Sequence, residues 1–166
     1  MYYLKVFLLY SLLGFLMEST LYKIVNVNKH SGIFYGPMTA VYGVGIIAIL
    51  LLNKYLFKKL KCNKILIYVI EFLTLTLVLT LIEFIGGNVL NYLFDIDMWN
   101  YTKKPYNFGK YICLELALTW GIMGVLFIHL FKQFTDKILS KITNKEVYLF
   151  TTLFLIDLSL VLATKL

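Results

Sequence analysis

Long apolar runs, broken at intervals by short lysine-bearing segments, set the pattern of this chain. The runs extend from Tyr3 to about Val25, about Pro37 to Leu56, Ile65 to about Leu90, Tyr111 to Phe131 and Val147 to Ala163. A spanning helix needs about 20 apolar residues at ~1.5 Å rise each. The pattern therefore predicts an all-α integral membrane protein, a bundle of about five transmembrane helices forming a single domain over residues 1–166. The first run carries Glu18 and lacks a small-residue cleavage site, so it reads as an uncleaved span and not as a signal peptide.

Composition agrees with this reading. The chain is 60% hydrophobic and 15% charged, with a mean hydropathy of +0.80. An ordinary soluble domain is roughly a quarter charged. The net charge of +7 rests on 16 lysines and no arginine. Those lysines lie between apolar runs, where they flank spans, and the lack of arginine removes the bidentate phosphate contacts that nucleic-acid binding favours. Nucleic acid is not an expected partner; the lipid bilayer is. Cys62 and Cys113 lack metal-type spacing, and the topology puts them on opposite sides, which speaks against a disulfide.

Lysine placement orients the spans. Five lysines fall between Asn53 and Lys64 and four between Lys132 and Lys145, against Lys103, Lys104 and Lys110 in a longer connection. The positive-inside rule makes the first two segments cytoplasmic, with the N-terminus inside and the C-terminus outside. The expected location is the plasma membrane, and the Lys-, Ile- and Asn-rich usage without arginine points to an AT-rich bacterial genome.

Ionisable groups inside spans are costly and usually face a bundle interior or a cavity. At ~1.5 Å per residue Glu18 lies roughly 22 Å beyond Tyr3, and Glu83 roughly 27 Å beyond Ile65. Glu115 lies four residues into the fourth run, which descends from outside. All three are expected in the outer third of the bilayer. Thr76, Thr80, Glu83, Gly87 and Asn91 recur at helical steps, as do Ser11, Gly14, Glu18 and Tyr22, and Glu115 pairs with Thr119. Two readings stay open: a polar binding layer, or packing seams with tolerated interfacial carboxylates. Glu71 is placed near the inner surface, within reach of water or Lys64. Asp157, in mid-span, needs a hydroxyl or a lysine from another chain, and His129 reads as interfacial.

Two outer elements frame that layer. In FYGPMTAVYGVG, Pro37 is expected at the first turn of the second span, with Gly36 allowing close approach and Tyr42 following. In IDMWNYTKKPYNFGKYIC, Trp99, Tyr101 and Asn107 form an aromatic, polar loop. It reads either as a headgroup-level belt or as a rim over the carboxylates, with helix N-termini nearby to attract an anionic group. Gly36, Pro37, Tyr42, Trp99, Tyr101 and Asn107 thus join Glu18, Glu83 and Glu115 as candidate substrate-binding residues. No catalytic or metal-binding set and no cofactor is expected. There is no phosphate-binding G-x-x-x-x-G-K-[ST] loop, no G-x-S-x-G and no H-E-x-x-H.

The strings GFLMEST, YGPMTAVYG, TLIEFIGG and MWNY…PYNFGKYICLELALTWGIMG resemble a family of small bacterial multi-spanning proteins, the ABC-transporter permease family called ABC transporter type IV. The resemblance covers about residues 8–131. The family has a second proline where this chain has Ala40, and an aspartate where it has Asn100. The resemblance implies a permease-like subunit that works with a separate ATPase, in a homo- or hetero-oligomer. The alternative from the residues themselves is an intramembrane enzyme acting on a lipid or lipid-linked substrate at the outer leaflet, using Glu18, Glu83 and Glu115. A third is a membrane partner or sensor whose polar stripes are assembly seams.

Overall fold

A computed structural model describes residues 1–166. Five helices are long and apolar enough to cross a membrane. They are built from α1 (Tyr2–Ile24), α2 (Ala40–Tyr55), α3 (Lys64–Phe94), α4 (Leu114–Leu126) and α6 (Asn144–Lys165). A 3-10 turn, Phe57–Lys59, extends α2, and a π turn (Phe127–Phe131) joins α4 to α5 (Lys132–Lys141). The only strands are β1 (Asn107–Phe108) and β2 (Ile112–Cys113), an antiparallel pair with Asn107 opposite Cys113.

Helix boundaries follow local chemistry. Asn63 caps α3 by accepting the Leu66 N–H at 2.8 Å, and Asp95 closes it in the left-handed region at φ 53°. Thr143 and Glu146 form a reciprocal capping box at the start of α6. Lys5 donates to the Ile142 carbonyl at 2.6 Å, which satisfies a backbone acceptor just past the end of α5.

Two boundaries differ from the hydropathy reading. The segment Lys132–Lys145 is not an open loop, because α5 carries the fourth helix to Lys141 and only two residues separate it from α6. Pro37 does not stand in a first helical turn, since α2 begins at Ala40 and Pro37 is exposed in irregular chain. The residues after Pro37 are held outside any helix instead, the Met38 N–H by the Gly36 carbonyl and the Thr39 N–H by the Ser11 carbonyl.

The chain divides into two compact units. The first holds Met1–Val44 and Lys137–Leu166, and the second Gly45–Asp136. In the first, α1 and α6 enclose the connection that follows α1. Ser31, Ile33 and Phe34 are buried there, and Phe154 of α6 meets Phe7 and Phe34 at ring distances of 5.3 and 5.1 Å. In the second, α3 and α4 form the main seam. Its core on α3 is a line at steps of four, Glu71, Leu75, Leu79, Glu83 and Gly87. On α4 Ala117, Gly121 and Gly124 face it, with Thr76 and Phe72 against Gly121 and Leu75 against Gly124. Small residues let two backbones approach without a solvent-driven hydrophobic effect, which lipid does not supply. Leucines and isoleucines elsewhere on these helices are exposed on the protein surface, as lipid-facing positions should be.

Candidate functional site

In the first unit Glu18 is clasped. Tyr22, one turn further along α1, donates to Oε1 at 2.7 Å. Ser31, wholly buried, donates to Oε2 at 2.5 Å and shares a 2.7 Å bond with Thr39. The stripe of Ser11, Gly14, Glu18 and Tyr22 is thus the face of α1 that receives residues 31–43. Tyr42 packs on Gly14 so closely that a Cβ there would lie 2.6 Å from the Tyr42 Cβ.

The connection itself runs back along α1. The Thr39 N–H donates to the Ser11 carbonyl at 2.9 Å, and Ser11 lies 13 residues before Ile24, roughly 20 Å along the helix. With the 3-10 turn that extends it, α2 covers Ala40–Lys59, 20 residues, enough for the ~30 Å hydrocarbon thickness. Irregular backbone beside such helices is tolerated in a membrane only where protein satisfies its polar groups. Asp157 of α6 does so. Its carboxylate accepts the Tyr35 N–H at 3.0 Å and the Gly36 N–H at 2.8 Å. A Cβ on Gly36 would sit 2.9 Å from Asp157 Oδ2, so a larger residue there would push the carboxylate aside. Lys165 donates to the Ile33 carbonyl at 2.7 Å, and Tyr35 shares a 2.8 Å bond with Thr164. Asp157 therefore does not await a hydroxyl or a lysine of another chain; backbone of the same chain is its partner.

In the second unit Glu83, 7% exposed, is clasped by two aromatic donors. Tyr101 O–H bonds Oε1 at 2.7 Å and Trp120 Nε1–H bonds Oε2 at 2.9 Å. Trp99 lies over Gly86 and meets Tyr111 edge-on, and Tyr111 fills the space that Gly87 leaves, where a Cβ would be 2.7 Å from its Cγ. The connection from Asp95 to Cys113 is fastened from within. The Asn107 amide donates to the carbonyls of Tyr101, Thr102 and Lys104 at 3.0, 2.7 and 3.1 Å. Asp97 accepts from Tyr111 O–H at 2.7 Å and pairs with Lys110, whose ammonium this bond holds above its ordinary pKa.

Glu115 is different. It occupies the first turn of α4, where a negative charge suits the helix dipole, and forms an exposed 3.0 Å ion pair with Lys104. The Thr119 hydroxyl donates to its backbone carbonyl and not to its carboxylate. Within unit two, Glu83 and Glu115 thus have separate partners. Within neither unit do three His, Cys, Asp or Glu side chains gather closely enough to hold a metal ion. Thr76 and Thr80 face the seam with buried hydroxyls that find no partner.

Two residues have partners that sequence reasoning did not foresee. Glu71 is 3% exposed and is hydrogen-bonded to His129 Nε2 at 2.7 Å, not to water or to Lys64. His129 is accordingly a partner and not a solitary interfacial residue. The only local signal was that each is a polar residue inside an apolar run.

The helices and their clasped carboxylates define a multi-spanning helical membrane protein. The family described as "Putative ABC-transporter type IV" matches residues 5–164, and the chain belongs to it. Membership makes the chain a membrane component of a transporter family whose members work with other subunits. Neither a curated protein nor a solved structure matches the chain.

Proposed function

We propose that this chain is the permease-like subunit of an ABC transporter in the plasma membrane of a bacterium. It forms one transmembrane domain over residues 1–166, with the N-terminus in the cytoplasm and the C-terminus outside, and pairs with a second permease chain and a separate ATPase. Family membership supports the transporter reading, and the lysine asymmetry supports the orientation. In this reading Glu18, Gly36, Pro37 and Tyr42 of the first unit and Glu83, Trp99, Tyr101, Asn107 and Glu115 of the second contribute to substrate binding.

The observation that carries a binding role is the setting of Glu83. A carboxylate enclosed in an apolar seam is held by one donor from a connection and one from a helix, Tyr101 and Trp120. Moving Tyr101 would free an acceptor that faces the connection, and a cationic or hydroxyl-bearing substrate group would replace the lost donor. The substrate class follows from that exchange; its identity does not enter.

Affinity isolation of the tagged protein from its native membrane in mild detergent tests the reading. A stoichiometric ATPase is the expected co-purifying chain, and a homo-oligomer without any ATPase would overturn the proposal. Given such a complex, Glu83→Gln is expected to reduce substrate-stimulated ATP hydrolysis at least tenfold while leaving membrane insertion unchanged. Equal loss of protein from the membrane would make Glu83 structural.

A further inference from the structure

Glu71 belongs to the buried line of α3 but not to the binding residues proposed above. Its carboxyl group is 3% exposed and makes a single hydrogen bond, with the imidazole of His129 at 2.7 Å. Glu83, on the same helix, has two neutral donors. A carboxylate enclosed in an apolar seam with one partner needs that partner to supply compensating charge. The imidazole is the group suited to do so reversibly, because histidine alone among side chains ordinarily changes charge near neutral pH.

The surroundings isolate the pair. Tyr68, one turn before Glu71 on α3, presents its ring at right angles to the His129 ring at 4.8 Å. On the other side Lys132 and Asp136 are taken up with each other at 2.6 Å. No further acid or base bonds to Glu71 or His129. The histidine side chain is 37% exposed on the protein surface while the carboxylate is enclosed, and the fourth apolar run ends two residues later, at Phe131. His129 also stands at the centre of the π turn Phe127–Phe131. Such one-turn widenings interrupt the regular ladder and recur at functional sites.

We propose that Glu71 and His129 form a reversible proton-binding site in the α3–α4 seam, independent of the substrate reading above. The Nε2 proton stays between the ring and the carboxylate. The second proton comes from interfacial water at the end of the fourth apolar run and adds to Nδ1, converting a hydrogen bond to a neutral ring into an ion pair. Releasing it to water leaves one net negative charge in the seam. Proton uptake therefore tightens the link between α3 and the π turn, and release loosens it.

The protein has two histidines, so the test can resolve both. The full chain, labelled with nitrogen-15 in the histidine rings, is placed in phospholipid nanodiscs and taken from about pH 5 to 8, the range in which imidazole changes charge. The expected result is that Nδ1 of His129 gains and loses its proton reversibly while Nε2 keeps its own throughout. In Glu71→Gln the Nε2 resonance of His129 should move toward a mixture of tautomers, with His30 unchanged as the control. Exchange of the Nε2 proton in the wild-type protein, or a His129 that never titrates, would overturn the site. So would identical His129 spectra in wild type and Glu71→Gln. The wild-type measurement decides the matter even where the variant fails to fold.

Discussion

The connection after α1 and the connection after α3 solve one problem in two ways. Each fastens to a glutamate on the helix it has just left, through Ser31 to Glu18 and through Tyr101 to Glu83. Each also involves an aspartate. In the first the aspartate is Asp157, more than a hundred residues away on α6, and it holds backbone N–H groups. In the second it is Asp97, inside the connection, and it holds Tyr111 and Lys110. The first segment is thus imposed by tertiary structure, whereas the second carries its own turn chemistry, a strand pair and the Asn107 staple. Local segments keep their shape when a neighbour is altered; imposed ones do not.

The sharpest way to break that comparison is Asp157→Ala. It takes the acceptor from the exposed Tyr35 N–H and the part-buried Gly36 N–H, a loss of roughly 1–3 kcal/mol in all. The detergent-solubilised protein is expected to unfold at clearly lower temperature, and amide exchange should rise across residues 31–39 and stay flat in 95–113. A rise in both connections alike would refute the distinction.

Gly36→Ala should act in the same segment but more weakly. Its Cβ would press on Asp157 Oδ2, and overpacking of this kind costs about 1–3 kcal/mol. Thermal unfolding of the double variant with Asp157→Ala tests the cause, because the two losses should fall short of additive.

In the self-contained connection, Asn107→Ala removes one amide that serves three carbonyls, in an exposed place where water can replace it. The expected loss is about 1 kcal/mol. Faster tryptic cleavage at Lys103 and Lys104 should report it, with no change in the 31–39 segment. Smallest of all is Lys104→Ala. Exposed ion pairs contribute about 0–1 kcal/mol, so the midpoint of unfolding should not move measurably.

Five spans were legible because lipid demands long apolar runs, and hydropathy reads those directly. The Asn63 cap and the Thr143–Glu146 box are local signals that hydropathy does not read. Contacts between distant spans were not legible. Nothing near Asp157 announces Tyr35 and Gly36. Nothing near Glu71 announces His129. The helix α5 was missed for a different reason. Lys132, Lys137 and Lys141 read as a charged loop, yet Phe134, Ile138 and Leu139 between them follow helical spacing, and Leu139 is buried. The polar stripe on α3 was read correctly as a face, but it combines two uses. Gly87 serves packing against Tyr111, while Glu83 is a hydrogen-bonded centre.

The length of α3 carries a further consequence. Its 31 residues span roughly 46 Å, about half as long again as the ~30 Å hydrocarbon layer. Transmembrane helices tilt by about 20° on average, and tilt alone would not absorb that excess. Asn88, Asn91 and Asp95 mark the end suited to leave the hydrocarbon. How far that end stands out depends on membrane thickness, and the connection bearing Trp99 and Tyr101 starts from it. Thickening the bilayer by lipid choice would draw that connection toward the acyl chains, so hydrophobic mismatch becomes a handle on the donor that closes over Glu83.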